Sequence, residues 1–171
     1  MRAYVDEIES PAGPLAFAVD ERGALVWLNF TQDDYELTAE GELEREGYIP
    51  ERDPARTASA REQLQEYSAG ARYEFELPLA LVGSAWQKAV WRALTEIPYG
   101  ETRSYGEIAA LVGRPGAARA VGRANATNRL PLVVPCHRVI SADGTLGGFN
   151  GGLHIKERLL EHESRVLGEN T

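Results

Sequence analysis

The stretch SYGEIAALVGRPGAARAVGRANA, residues 104–126, decides the fold of the second half of the chain. Ser104 can cap a helix over 105–112, and Glu107 at the third helical position completes a capping box. Gly113 ends that helix, and a second helix follows the Arg-Pro-Gly turn. Two short helices joined by a turn that contains glycine predict a helix-turn-helix.

The second helix of this pair is mostly alanine and glycine, with Arg119 and Arg123 projecting from it. Small side chains permit tight packing inside a protein, and they also permit close passage along a DNA groove. Residues 102–140 hold six arginines and one glutamate, a balance of +5, whereas residues 1–66 hold 16 acids and six basic residues, a balance of −10. This distribution favours a DNA-facing helix, with a solvated basic face as the alternative.

The first third of the chain is predicted to form an antiparallel meander, because short apolar runs alternate with turns that contain Gly and Pro. Its strands are predicted over 3–8, 15–19 and 24–30. The acid-rich segment 31–55 predicts a helix-containing excursion or a mobile loop. Helical spacing predicts a helix over 58–68, and a further strand is predicted over 73–77.

The sequence pattern changes to that of helices near residue 81, so we expect two domains, 1–80 and 81–171. Ser84 can cap the first helix of the second domain. That helix carries Trp86 and Trp91, which we interpret as core residues.

Cys136 is the only cysteine of the chain, and it lies in the tetrapeptide Pro-Cys-His-Arg, residues 135–138. An isolated cysteine is often a small buried hydrophobe. Here the adjacent His137 could remove the thiol proton, directly or through a water molecule, which favours a nucleophile. A carboxylate would orient the imidazole. Three carboxylates on the predicted C-terminal helix are candidates, and their spacing does not choose among them: Glu157, Glu161 and Glu163.

Composition excludes several classes of protein. One cysteine excludes an internal disulfide and a multi-cysteine zinc site, and three scattered histidines add little to a metal site. Apolar runs fall short of the ~20 residues that span a membrane, and the acidic start is unlike a secretory signal. We therefore expect no metal or cofactor and a reducing compartment, cytoplasmic or nuclear, with the cytoplasm preferred. We also expect a monomer.

Together these motifs closely resemble the O6-alkylguanine-DNA alkyltransferase family, also called methylated-DNA–protein-cysteine methyltransferases. The resemblance covers about residues 85–163, and residues 1–80 agree only in broad layout. The matching segments are 98–102, 104–109, 117–122, Asn128, 135–140 and 151–153, followed by Lys156-Glu157, Leu159-Leu160 and His162-Glu163.

This resemblance implies an α+β protein. A small antiparallel sheet with a helix, ribonuclease-H-like in this family, would precede a helical domain with a winged-helix-like helix-turn-helix. It implies direct repair of double-stranded DNA that contains O6-alkylguanine. The alkyl group would pass irreversibly to one cysteine after the nucleotide is flipped, so each molecule would act once.

The resemblance also implies roles for individual residues. Cys136 would accept the alkyl group, and His137 would deprotonate it through a water with Glu163 orienting the imidazole. Asn128 would form a hinge that holds the active-site loop. Tyr105 would donate to the base and crowd the phosphate during flipping.

Arg119 would fill the space of the flipped nucleotide. Further DNA contacts are expected from Ser104, Tyr105, Ala120, Gly122 and Arg123. The base pocket would be lined by Val139, Phe149, Asn150 and Gly151. Phe149 stands where the family commonly has tyrosine, Asn150 where it commonly has serine, and Arg123 where it commonly has a small residue.

Three other functions deserve comparison with this interpretation. A helix-turn-helix regulator with an inert cysteine would need side chains that read base edges, which a helix of alanine and glycine lacks. A damage sensor that binds lesions without accepting the alkyl group would lack the cysteine, which is present. A Cys-His hydrolase leaves Arg119 and the helix-turn-helix unexplained.

Overall fold

The computed structural model describes residues 1–31, 38–147 and 152–170. Within them the chain forms two compact units, Met1–Leu81 and Val82–Thr171. Among the described helices none is long and apolar enough to cross a lipid bilayer.

The first unit is built on a four-stranded sheet in the order β3-β2-β1-β4. Its strands are β1 (Arg2–Ser10), β2 (Gly13–Asp20), β3 (Leu25–Phe30) and β4 (Ile49–Glu51). The first three strands form the predicted antiparallel meander, and the short β4 pairs parallel to β1. Residues 15–19 of the central β2 are all buried, so both faces of the sheet are covered.

Two helices cover this sheet. Helix α1 (Ala39–Arg45) lies inside the acid-rich segment and buries Leu43 against the sheet, whereas α2 (Ala58–Ser68) packs on β1. The helix predicted over 58–68 is therefore confirmed. Parallel pairing of β4 was not predicted, because a three-residue strand that contains proline carries little periodic signal.

The strand predicted over 73–77 is wrong. That segment has no strand, and the chain meets the sheet only afterwards, where Leu25 N donates to Pro78 O and Ala80 N donates to Leu25 O at 2.8 and 2.9 Å. Its alternating apolar residues belong to a connection that forms no strand pairing: Phe75 and Leu77 are half-buried, and Tyr73 is exposed.

The second unit is mainly helical. Its helices are α3 (Ala85–Thr95), α4 (Tyr105–Leu111), α5 (Ala118–Ala126) and α6 (Leu153–Glu169). A 3₁₀ turn, Cys136–Arg138, leads into β6 (Val139–Ile140), which pairs parallel with β5 (Arg103–Ser104). Helices α4 and α5 are the two helices of the predicted helix-turn-helix.

Local sequence fixes where these helices begin. The hydroxyls of Ser84 and Ser104 accept hydrogen bonds from the backbone amides of Gln87 and Glu107, respectively. In return, the side-chain oxygens of Gln87 and Glu107 accept from the backbone amides of the two serines. Both predicted caps are thus present, each in a complete capping box.

The indole groups of α3 hold α5 in place. Trp86 Nε1 donates to Ala120 O at 3.2 Å, and Trp91 Nε1 donates to Ala124 O at 2.8 Å. Trp91 is buried, as predicted for a core residue, whereas Trp86 is half-buried. The polar ends of both rings are satisfied by helix carbonyls.

Candidate active site

Cys136 lies at the start of the 3₁₀ turn and is 1% exposed. Burial raises the pKa of its thiol to about 11, although the side chain of Asn128 and the positive charge of Lys156 act in the opposite direction. Thiolate formation at neutral pH therefore depends on neighbouring groups that take the proton or stabilise the anion.

His137 and Glu163 form a fully buried pair, with His137 Nε2 and Glu163 Oε2 separated by 2.7 Å. Burial opposes ionisation of Glu163, but the hydrogen bonds and charges of His137 and Arg138 outweigh it and hold the pKa of that carboxyl below its usual range. A carboxylate only accepts hydrogen bonds, so Nε2 of His137 carries the proton.

Burial lowers the pKa of His137, against the opposing influence of Glu163. The ring is therefore neutral near pH 7, and Nδ1 keeps a lone pair. Nδ1 is buried and makes no hydrogen bond with the described residues. A neutral imidazole with one nitrogen on a carboxylate and the other available is equipped to accept a proton.

The structure separates the three candidate carboxylates. Glu163 faces the interior of the unit and reaches His137, whereas Glu157 and Glu161 are exposed on the same helix. The sequence could not make this choice, because it depends on which face of α6 packs against the 3₁₀ turn.

Arg138 departs from its predicted place in a basic DNA-facing surface. It is 5% exposed, and its Nε and Nη2 donate to the two oxygens of Glu163 at 2.9 and 3.0 Å. Its Nη1 donates to Ile97 O at 2.8 Å, and Gly100 N also donates to Glu163. Arg138 therefore neutralises a buried carboxylate and is not available to phosphates.

The side chain of Asn128 forms hydrogen bonds with two backbone groups of the segment that leads to Cys136. Its Nδ2 donates to Val134 O and its Oδ1 accepts from Leu130 N, both at 2.9 Å. Within that segment Leu132 has a φ of 77°, the only left-handed non-glycine conformation among the described residues. The amide of Asn128 thus holds a strained loop that ends at the nucleophile.

Tyr105, the first residue of α4, is half-buried, and its ring lies close to two glycines. A Cβ on Gly122 would lie 3.9 Å from the ring, and one on Gly147 would lie 3.1 Å from the hydroxyl. Burial raises the pKa of Tyr105, and the charge of Cys136 adds to this effect. The phenol is therefore protonated at neutral pH and able to donate.

Lys156 was not predicted as a site residue. It is 0% exposed on α6, its ammonium donates to Val139 O, and it lies 5.9 Å from the centre of the Tyr105 ring. Its presence in the quoted motif was the only signal in the sequence, because charged residues on a helix are usually solvated.

The predicted DNA-binding residues lie on one helix-turn-helix. Arg119 and Arg123 are exposed on α5, while Ala120 and Gly122 are half-buried. The hydroxyl of Ser104 is engaged in the capping box of α4. A further arginine of this region, Arg114, stacks on Trp86 at 4.9 Å.

The predicted base pocket is described only in part. Val139 is buried in β6. The other predicted residues, Phe149, Asn150 and Gly151, lie outside the described residues. Within the described ranges no group of three His, Cys, Asp or Glu side chains is arranged to hold a metal ion.

Two family models match almost the whole chain. Residues 4–81 match the 6-O-methylguanine DNA methyltransferase, ribonuclease-like domain, and residues 85–165 match the 6-O-methylguanine DNA methyltransferase, DNA binding domain.

Similar proteins agree with both matches. A methylated-DNA–protein-cysteine methyltransferase of Methanosarcina acetivorans is 46% identical over 94% of this chain and 97% of its own length. One of Mycobacterium leprae is 49% identical over 94% of this chain and 92% of its own length. The crystal structure of Mycobacterium tuberculosis OGT in complex with DNA superposes with a TM-score of 0.81 at 45% identity, covering 95% of this chain and 94% of that one. This chain therefore belongs to the methylated-DNA–protein-cysteine methyltransferase family.

Proposed function

We propose that this chain repairs double-stranded DNA directly, by moving the methyl group of O6-methylguanine to Cys136. The sulfur attacks the methyl carbon, an S–C bond forms, and the O6–C bond breaks. Guanine keeps the electron pair of the broken bond and takes up a proton. The thioether is stable, so each molecule acts once.

The buried array of Cys136, His137 and Glu163 carries this proposal. His137 accepts the thiol proton at Nδ1, directly or through one water, because Nε2 is occupied by Glu163. Glu163 stabilises the resulting imidazolium, and Arg138 keeps Glu163 ionised. Asn128 holds the loop that positions the sulfur.

Tyr105 would assist the leaving group. Its hydroxyl faces Gly147, and burial, followed by the charge of Cys136, raises the pKa of the phenol, so that it stays protonated at neutral pH. A phenolic donor offsets the negative charge that develops on the departing guanine.

The helix-turn-helix of α4 and α5 would bind the DNA. Arg119 projects from α5 and would occupy the space that the flipped nucleotide leaves, since flipping costs a few kcal/mol of lost stacking. Ala120 and Gly122 would allow α5 to approach the minor groove closely, with Arg123 and Ser104 beside them. Bound in this way, one protein molecule would serve one lesion as a monomer.

The test is the mass of the intact protein and its peptides after incubation with a duplex that holds one O6-methylguanine. We expect one methyl group on the peptide that contains Cys136, and none in Cys136→Ser. If the protein bound the lesion selectively but transferred no methyl group, it would be a damage sensor and the proposal would be wrong. Absence of both transfer and selective binding would refute it.

A further inference from the structure

Arg114 lies in the turn between α4 and α5, and its backbone is fixed on both sides. Its amide donates to Ala109 O at 2.9 Å, and the amide of Gly113 donates to Ala110 O at 3.1 Å, which together end α4 in a Schellman motif. Its carbonyl accepts from Ala117 N at 3.1 Å, where α5 begins. The turn therefore presents the Arg114 side chain from a defined point of the helix-turn-helix.

The side chain of Arg114 is held as well, by Trp86 of α3. The guanidinium carbon lies 4.9 Å from the centre of the indole ring, which is the distance of a cation–π contact. The nitrogen of the same indole donates to Ala120 O, the carbonyl next to Arg119, at 3.2 Å. One side chain thus contacts both the turn and α5. The ring holds the guanidinium from one side, and its N–H groups remain able to donate.

The charge of Arg114 lacks a counter-charge nearby. The side chain is exposed and forms no ion pair with the described residues. Arg119 and Arg123 add exposed charges of the same sign on α5. Glu107 is the only acid among residues 102–140, and its carboxylate is engaged in the capping box of α4. Covering the indole would explain a stacked arginine, but a surface of like charges favours an anionic partner.

We propose that the contact between Arg114 and Trp86 is a preformed binding site for one phosphate of the DNA backbone. This inference rests on the DNA binding of the proposed function and adds to it a contact at the turn. In a helix-turn-helix the second helix reads base edges, whereas the rest of the motif lies along the backbone. A guanidinium offers its N–H groups in a fork that matches two phosphate oxygens.

Trp86 would raise the affinity without touching DNA. An arginine in solution loses side-chain freedom when it binds a phosphate, and this loss weakens binding. The guanidinium of Arg114 is already held against the indole, so less freedom remains to be lost.

The first experiment measures binding to an undamaged duplex by fluorescence anisotropy at several salt concentrations. Arg114→Ala should weaken binding about three- to tenfold, and the slope of log K against log salt should become shallower by about 0.9, since one phosphate contact is lost. Arg114→Lys keeps the charge and the slope, and its affinity should lie between the two. The control is Arg22→Ala, an exposed arginine of the first unit, with both quantities unchanged. Unchanged affinity and slope in Arg114→Ala would overturn the inference.

The second experiment separates the ring of Trp86 from its hydrogen bond. Trp86→Phe and Trp86→Leu both lose the donor to Ala120, and only the phenylalanine variant keeps an aromatic face. Trp86→Leu should bind the duplex about two- to fivefold more weakly than Trp86→Phe. The difference should vanish when Arg114→Ala is also present. A difference that persists there would assign the ring to another role and contradict the inference.

Both experiments can fail separately from the proposed function. Circular dichroism shows whether the Trp86 variants fold, and the exposed Arg114 variants decide the question if they do not. The duplex in both measurements is undamaged, so no methyl transfer is needed. If the wild type bound this duplex but transferred no methyl group from a lesion, the proposed reaction would be wrong, while the salt slope of Arg114→Ala would still decide whether Arg114 contacts a phosphate.

Discussion

The two units of this chain bury different kinds of side chain. Among the described residues, the first unit buries apolar groups around its sheet, with only Thr57 and Gln63 as buried polar side chains. The second unit buries Asn125, Asn128, His137, Arg138, Lys156, His162 and Glu163. Burying charge opposes folding unless partners compensate it. Burying these polar and charged side chains costs folding free energy in the second unit. Because several of them surround the thiol of Cys136, we attribute their burial to function and not to stability.

The charged pairs of the two units differ in the same way. Arg61 and Asp6 in the first unit form a 2.6 Å ion pair whose side chains remain 29% and 23% exposed. Arg138 and Glu163 in the second unit are 7% and 0% exposed. Water can replace a lost partner in the first pair and cannot do so in the second.

The largest expected effect tests this difference directly. Glu163→Gln leaves the buried guanidinium of Arg138 without a counter-charge, and it should lower the free energy of unfolding by about 3–5 kcal/mol. Asp6→Asn should cost about 1 kcal/mol or less. Urea unfolding measures both, and Glu157→Gln is the exposed control on the same helix. Equal losses at positions 163 and 6 would remove the contrast between the units.

A second comparison concerns exposed arginines. Arg119→Ala on α5 should weaken binding to duplex DNA by about tenfold, because a lost DNA contact typically costs about 1–3 kcal/mol. Arg22→Ala, an exposed arginine of the first unit, should leave binding unchanged. Fluorescence anisotropy at several salt concentrations measures both variants. Equal weakening by both would assign DNA binding to general charge.

The third effect is a dependence of stability on pH. The folded-state pKa values of His137 and Glu163 both lie below their unfolded values. Such groups contribute stability above the unfolded pKa, and it is lost as the pH falls through the folded pKa. Unfolding free energy should therefore fall below about pH 6.5 through His137 and below about pH 4.3 through Glu163.

Each proton contributes a slope of at most about 1.4 kcal/mol per pH unit. His137→Gln should flatten the curve below about pH 6.5. His154→Gln changes an exposed histidine and should leave the curve as it is. A curve that stays equally steep in His137→Gln would assign the slope to other groups.

The smallest effect concerns the wall of the site near Tyr105. Gly147→Ala places a methyl group 3.1 Å from the Tyr105 hydroxyl and adds strain at a φ of 68°. Gly144→Ala adds comparable strain at a φ of 84° with nothing within 4 Å. Crowding costs roughly 1 kcal/mol, so Gly147→Ala should slow transfer a few-fold relative to Gly144→Ala. Single-turnover rates of the two variants measure the difference, and equal rates would place the reacting base away from this wall.

Local patterns predicted most of the elements. Ser84 and Ser104 mark the beginnings of their helices in the sequence, because a capping residue and its partner lie only three residues apart. Both capping boxes are present in the structure. The meander was predicted for the same reason, since its turns separate neighbouring strands. The parallel pairing of β4 and the unpaired segment 73–77 were missed, because both depend on residues distant in sequence.

The site shows the same difference between features set by neighbouring residues and features set by residues distant in sequence. The family, and Cys136 with its adjacent histidine, could be identified from contiguous residues. The buried places of Arg138 and Lys156 could not, because each is set by α6 packing against the 3₁₀ turn. A count of charges along the sequence treats Arg138 as basic surface, whereas its partner Glu163 lies 25 residues away.

The indole hydrogen bonds between α3 and α5 give the protein optical reporters. The chain has three tryptophans: Trp27 lies in the sheet of the first unit, and Trp86 and Trp91 donate to carbonyls of the helix that carries Arg119. Indole emission responds to the polarity and hydrogen bonding around the ring. With Trp91→Phe and Trp27→Phe in place, the half-buried Trp86 is the one remaining tryptophan, and its fluorescence responds to its contacts with Ala120 of α5 and with Arg114. Movement of the helix-turn-helix can then be timed without attaching a dye.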